Sequence, residues 1–128
     1  MTWTAIVFAL ALARPAAAVP DVSGSWAVMG ELAGNGGGLF TAACTLQQKD
    51  DKLTGVCKRA SGDANATGHV TDQGLSFQYD IDRQGATLTF RFDGTLDKAG
   101  TEISGQVFVT NPGAPGLEGK FTATKQKK

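Results

Sequence analysis

Short runs of alternating apolar and polar residues, separated by turn residues, follow one another along most of this chain. Eight such runs recur at a spacing of roughly 8–12 residues, which is typical of antiparallel sandwiches and barrels. After residue 18, no stretch repeats its apolar residues with the period of a helix. The pattern predicts an all-β protein with strands over 23–28, 39–49, 52–59, 64–71, 74–82, 86–96, 101–110 and 117–124.

Neighbouring runs can be paired as hairpins whose apolar positions coincide. This condition is demanding, because a slip of one residue turns every side chain of a strand to the opposite face. Turns at 50–51, 72–73, 83–84, 97–100 and 111–115 satisfy it. The pairs predicted by these turns include Cys44 with Cys57, Gly68 with Phe77, Tyr79 with Leu88, Phe77 with Phe90, Phe92 with Gly105, Phe90 with Val107, and Gly105 with Phe121.

The paired positions form one apolar face, while the opposite face carries Thr, Gln, Ser and charged residues. Consecutive hairpins with one dry face predict an eight-stranded antiparallel up-and-down β-barrel, since closure removes the exposed strand edges. An open sandwich is the alternative architecture. Glycines on the dry face, several of them opposite a Phe, favour the narrow closed barrel; they are Gly55, Gly68, Gly94, Gly105 and Gly119.

The first residues have the features of a secretory leader. Ile6–Ala13 is an apolar run too short to cross a bilayer as a helix, and Ala16–Ala18 follows it with the small residues that a signal peptidase requires. The start, Met1–Thr4, lacks the Lys or Arg that is usual there. We therefore expect a signal peptide over 1–18, a barrel domain over 19–124 and a flexible basic tail over 125–128.

Cys44 and Cys57 are the only two cysteines. The predicted register places them directly opposite each other, and opposed strand positions lie about 4.5–5.5 Å apart, which suits a disulfide. A disulfide together with a leader indicates an oxidising compartment. We expect a periplasmic or secreted protein that does not insert into the membrane once the leader is removed.

Charge and residue inventory argue against several classes of function. The chain has 12 basic and 12 acidic residues, so it offers no electrostatic reason to bind nucleic acid or an anionic membrane. One histidine and one cysteine pair cannot supply a structural zinc site, and we expect neither a metal nor a cofactor. His69 falls on the polar face with no Ser or Cys placed for it to activate, so we expect no catalytic activity.

The first strand contains Ser23-Gly24-Ser25-Trp26, and the hairpin after the predicted turn at 50–51 begins Asp51-Lys52-Leu53-Thr54-Gly55. The Gly-x-Trp pattern resembles the start of lipocalin and avidin barrels, in which the Trp plugs one end. The resemblance implies such a role for Trp26 and a ligand entrance at the other end. Biotin binding is not implied, because Trp26 is the only Trp left after export. The architecture also resembles periplasmic metalloprotease inhibitors, although Val19–Val22 does not match their inhibitory tail.

The long, Gly-rich connections gather at one end of the predicted barrel, with 29–38 as the longest of them. Loops on a rigid scaffold are where binding usually takes place, so this end predicts a mouth for a small apolar or amphipathic ligand. Arg59 either clamps the carboxylate of such a ligand or bends out to water. The side chains predicted to form the site are Val28, Phe40, Arg59, Ala66, Tyr79, Ile81, Leu88, Val109 and Leu117.

A filled interior is the alternative to a ligand cavity. Seven Phe and many aliphatic residues can occupy an eight-stranded barrel completely. The protein would then be a protein-binding or protease-inhibitor module that grips its partner with loops or with the exposed sheet face.

Overall fold

The structure, a computed structural model, describes residues 20–34, 38–83, 85–113 and 116–126. It is a closed barrel of eight antiparallel strands in up-and-down order, in which the first strand also pairs with the last. The predicted fold class is confirmed. The predicted leader lies outside the described residues. The strands are β1 (Gly24–Leu32), β2 (Gly38–Lys49), β3 (Lys52–Arg59), β4 (Gly62–Val70), β5 (Leu75–Arg83), β6 (Ala86–Leu96), β7 (Glu102–Thr110) and β8 (Leu117–Lys125).

Three of the predicted registers are confirmed. Cys44 pairs with Cys57 across β2 and β3, and these two residues form the disulfide. Gly68 pairs with Phe77 across β4 and β5. The register of β7 with β8 also agrees with the prediction, since Gly105 lies opposite Phe121.

The registers on both sides of β6 were predicted two residues away from their true positions. Tyr79 pairs with Phe90 rather than with Leu88, and Phe92 pairs with Val107 rather than with Gly105. The first turn closes at Arg83 and Ala86, with Gly85 at a φ of 81°, a conformation that a glycine adopts at little cost. A shift of two residues leaves the same side chains facing inward, so the predicted division into an apolar and a polar face is still correct.

The second of these turns is held by one carboxylate. The backbone N–H groups of Thr101 and Glu102 donate to Asp97 Oδ1 at 2.9 and 3.1 Å. These hydrogen bonds favour the charged form and lower the pKa of the Asp97 carboxyl from its ordinary value. They also place Asp97 opposite Glu102, so the turn is longer than the predicted one and Leu96 pairs with Ile103 across β6 and β7.

Two connections at the predicted mouth are shorter than expected. β1 continues to Leu32, which pairs with Gly38, so residues 29–32 and 38 of the loop predicted over 29–38 belong to strands. Arg59 pairs with Gly62, which reduces the connection between β3 and β4 to a two-residue turn. At the other end of the chain, β8 extends to Lys125, one residue into the segment predicted as a tail.

The lower part of the barrel, at the end opposite the mouth, is filled. Phe77 stacks on Phe92 at a centroid distance of 4.8 Å, and Phe121 contacts Phe92 edge-on at 5.1 Å. Beneath them, Trp26 is buried, and its Nε1 donates to the Val22 carbonyl oxygen at 2.9 Å. Trp26 therefore occupies the plug position that the Gly-x-Trp resemblance implies.

Close approach of neighbouring strands depends on glycine at particular inward positions. At Gly119, a Cβ atom would overlap the carbonyl oxygen of Glu31 on the neighbouring strand β1. The missing side chain lets β8 and β1 pack closely at the point where the barrel closes. This supports the predicted role of the inward glycines in tight coiling.

Candidate functional site

A cavity of about 440 Å³ opens at the upper end of the barrel, the end formed by the end of β1, the start of β2 and the turn between β3 and β4. Inward side chains of β5 and β6 complete its wall. We call this cavity the mouth. Its lining residues are Leu32, Gly38, Leu39, Phe40, Thr41, Arg59, Ala60, Ser61, Tyr79, Ile81, Leu88 and Phe90.

The mouth contains one side chain that is charged at neutral pH. Arg59 is half-buried, and its Nη2 donates to the Ser61 hydroxyl at 2.6 Å. The guanidinium carbon lies 6.0 Å from the centroid of the Tyr79 ring. Among the described side chains, no carboxylate oxygen lies within 4.0 Å of the Arg59 guanidinium. Among the described residues, Arg59 therefore has a neutral hydroxyl as its side-chain hydrogen-bond partner.

Tyr79 presents an unusual polar group. The residue is only 2% exposed, and its hydroxyl is the buried side-chain polar atom without a hydrogen-bond partner in the described part of the chain. Burial raises the pKa of this hydroxyl to about 12, although the positive charge of Arg59 acts in the opposite direction. The hydroxyl is therefore protonated at physiological pH and can donate a hydrogen bond.

Aromatic rings form the floor and one wall of the mouth. Tyr79 stacks on Phe90 at 5.2 Å, and Phe40 contacts the Phe90 ring edge-on at 5.7 Å. Phe40 lies over Gly30, where a Cβ atom would overlap its ring. Below this layer Phe92 is fully buried, so the mouth ends against the packed interior. A molecule in the mouth meets aromatic surface on its apolar side.

Of the predicted site residues, Phe40, Arg59, Tyr79, Ile81 and Leu88 come together in the mouth. The other four do not line it. Val28, Ala66 and Val109 are buried in the barrel interior, and Leu117 is half-buried at the start of β8.

Seven of the twelve lining residues were not among the predicted ones, and Leu32 and Phe90 are the two of them with large, half-buried side chains. Leu32 was missed because the alternating pattern predicts that the first strand ends at residue 28, whereas β1 continues to Leu32. Phe90 was missed because the predicted register placed it two residues too deep. The Gln84-Gly85 pair is the sequence signal that could have corrected this, since a glycine is favoured in a two-residue hairpin turn.

The wall of the barrel opens beside the mouth. Register pairs between β4 and β5 run only from Ala66 with Tyr79 to Val70 with Leu75, so the upper parts of the two strands are not paired. A groove of about 430 Å³ lies there, lined by Arg59, Ser61, Gly62, Asp63, Asp80, Ile81 and Asp82. Two of its carboxylates are held by the neighbouring strand, because Asp80 accepts from the Thr89 hydroxyl at 2.7 Å and Asp82 accepts from the Thr87 hydroxyl at 3.0 Å.

A second group of polar residues crosses the outer face of the sheet. His69 pairs with Ser76, and Ser76 pairs with Asp93, in a shallow groove of about 510 Å³. The Ser76 hydroxyl donates to Asp93 Oδ1 at 2.7 Å, and Asp93 also forms an ion pair with Arg91 at 3.2 Å. The serine proton therefore points to a carboxylate rather than to the imidazole, which is unlike the serine–histidine arrangement of a nucleophilic site.

The chain matches no protein-family model and no curated protein. The resemblance to lipocalins and avidins is therefore one of architecture, the closed eight-stranded antiparallel barrel. In the described residues, no helix is long and apolar enough to cross a membrane. Within the same ranges, no cluster of His, Cys, Asp and Glu side chains is suited to hold a metal ion.

Proposed function

We propose that this protein is an exported, non-catalytic barrel that binds a small amphipathic molecule in its mouth. The observation that carries the proposal is the Tyr79 hydroxyl, which is buried beside a cavity of mixed polar and apolar lining and has no hydrogen-bond partner among the described residues. Buried polar groups are nearly always hydrogen-bonded, and leaving one unpaired costs about 1–3 kcal/mol. A bound molecule with a polar group near Tyr79 would remove that cost.

The size and lining of the mouth support a small ligand. Its volume of about 440 Å³ lies within the range of about 300–1,000 Å³ that is usual for small-molecule sites. Leu32, Phe40 and Leu88 supply apolar surface, while Arg59 supplies one charge. Because Phe92 closes the interior below, the ligand has to be short.

Export is supported by the disulfide between Cys44 and Cys57 and by the leader expected from the sequence. Disulfides persist in the periplasm and outside the cell and are rare in reducing compartments.

Titration with the apolar fluorophore N-phenyl-1-naphthylamine tests the proposal. We expect saturable binding, and we expect Leu88→Trp to weaken it at least about tenfold by filling the mouth, a loss of about 1.4 kcal/mol. The matched control is Thr67→Trp, which adds the same ring on the outer face of β4 and should leave the affinity unchanged. The proposal fails if the fluorophore does not saturate, or if both variants bind it as the wild type does.

Protein binding is the second candidate, and a specific observation favours it. Met29 and Leu39 are 56% and 76% exposed, and they line one shallow depression on the outer face of β1 and β2. Exposed apolar side chains that lie together mark interaction surfaces. If the protein inhibits a secreted metalloprotease stoichiometrically, and if a Met29→Lys, Leu39→Lys variant loses that inhibition, this alternative replaces the first.

A further inference from the structure

We propose that the molecule bound in the mouth carries a carboxylate, held by the Arg59 guanidinium together with the Tyr79 hydroxyl. This inference rests on the proposed function and names the chemical class of its ligand.

Arg59 forms no ion pair among the described side chains. The described side-chain partner of its guanidinium is the neutral Ser61 hydroxyl, and no described carboxylate lies within 4.0 Å of it. Arg59 also lines the groove between β4 and β5, which carries three carboxylates. Asp80 and Asp82 are engaged by threonine hydroxyls on the outer face of β6, and Asp63 is exposed to solvent.

A half-buried guanidinium is stabilised most by an anion, because a charge-assisted ion pair offsets the hydration that the guanidinium loses on burial. Arg59 also has the geometry for this role, since its planar fork can donate two parallel hydrogen bonds to one carboxylate. The hydrogen bond to Ser61 engages Nη2 only.

Arg59 and Tyr79 both offer hydrogen-bond donors to a molecule in the mouth. A guanidinium only donates, and the Tyr79 hydroxyl has a proton to donate and no acceptor for it. A ligand group that accepts a hydrogen bond from each of them needs at least two acceptor sites. An ionised carboxylate offers two acceptor oxygens and a full negative charge, whereas a primary amide offers one acceptor oxygen and no charge for the guanidinium.

The mouth offers apolar surface to the remainder of the ligand. The edge-to-face pair of Phe40 and Phe90 leaves aromatic surface along the mouth, and Leu32 and Leu88 complete an apolar wall. The packed Phe92 prevents a long chain from passing into the lower barrel. The ligand class is therefore a compact aromatic or branched carboxylate, with its charged group at Arg59.

Isothermal titration at neutral pH with two probes of the same shape tests the inference. The probes are 2-naphthoate and its uncharged counterpart 2-naphthamide. We expect the wild type to bind naphthoate at least about tenfold more tightly than naphthamide, the difference that one charge-assisted contact supplies. Arg59→Gln should bring the ratio of the two affinities to about one, and Tyr79→Phe should reduce it severalfold.

Asp80→Asn is the matched control, because it changes a charge of the neighbouring groove without changing the mouth itself. It should leave the ratio of the two affinities at its wild-type value or raise it. Thermal melting of each variant verifies that it is folded.

The outcomes separate this inference from the proposed function. If the wild type binds both probes equally well, the proposed function holds and the carboxylate assignment is wrong. The assignment is also wrong if Arg59→Gln keeps the wild-type preference for naphthoate. If neither these probes nor N-phenyl-1-naphthylamine bind, the proposed function fails, and the inference fails with it.

Discussion

Replacing Tyr79 by Phe should make the protein more stable, although it removes a polar group from the candidate site. The hydroxyl is buried without a partner, and such a group costs about 1–3 kcal/mol. Phe keeps the ring that stacks on Phe90 at 5.2 Å. Loss of one oxygen atom leaves a void that costs only about 0.3 kcal/mol. We therefore expect the free energy of unfolding to rise by about 1–2 kcal/mol.

Urea denaturation at neutral pH with the disulfide intact measures this change. The Tyr79→Phe midpoint should move to higher urea with an unchanged slope, and the melting temperature should rise by roughly 4–8 °C per kcal/mol. Tyr79→Leu serves as the control for the ring. It also removes the hydroxyl but loses the stacking on Phe90, so it should be less stable than Tyr79→Phe by about 1–2 kcal/mol.

A loss of stability in Tyr79→Phe would refute the reasoning. If the free energy of unfolding falls by about 1 kcal/mol or more, the hydroxyl has a hydrogen-bond partner in the native protein. The mouth would then contain no unmet donor, and the main support for a polar ligand group would disappear.

Three further predictions concern the barrel itself. Tyr79 is the only tyrosine, so phenolate absorbance should titrate near pH 12 in the folded protein and near pH 10.0 in denaturant. The free energy of unfolding should fall by about 2–3 kcal/mol as the pH rises from the lower to the higher of these values, because the folded state holds the proton more tightly. Gly119→Ala should destabilise the protein by more than about 2 kcal/mol in urea, whereas Thr122→Ala on the exposed face should change it by less than about 0.5 kcal/mol. Replacing Cys44 and Cys57 by Ala should cost about 3 kcal/mol by the chain-entropy argument, and equal stability of the reduced and oxidised protein would contradict it.

The alternation of residue types was sufficient to predict which side chains face inward. Period-two alternation identifies the inward set in every strand, and the pairing of Cys44 with Cys57 follows from a short turn between them. The registers of β6 with β5 and with β7 depend on the geometry of the connecting turns, and the alternation did not predict them. The glycine at 85 and the hydrogen bonds to Asp97 fix the position of β6, and both depend on local backbone geometry.

The site was predictable only in outline. Inward alternation and the direction of each strand brought Phe40, Tyr79 and Leu88 to one end, as the mouth has them. The depth of the cavity could not be read from the sequence, because it depends on how the aromatic rings stack. The same holds for the hydrogen bond of Arg59 to Ser61 and for the unpaired Tyr79 hydroxyl, which are consequences of side-chain rotamers.

The filled lower barrel separates the residues that keep the chain folded from those that would recognise a ligand. Trp26, Phe77 and Phe121 are buried beneath the mouth, whereas Leu32, Ile81 and Leu88 are only half-buried at its rim. Substitutions at the rim remove less buried apolar surface than substitutions below it, so they cost less stability. The rim can therefore be randomised to select binders of other small molecules, while the aromatic base keeps the scaffold intact.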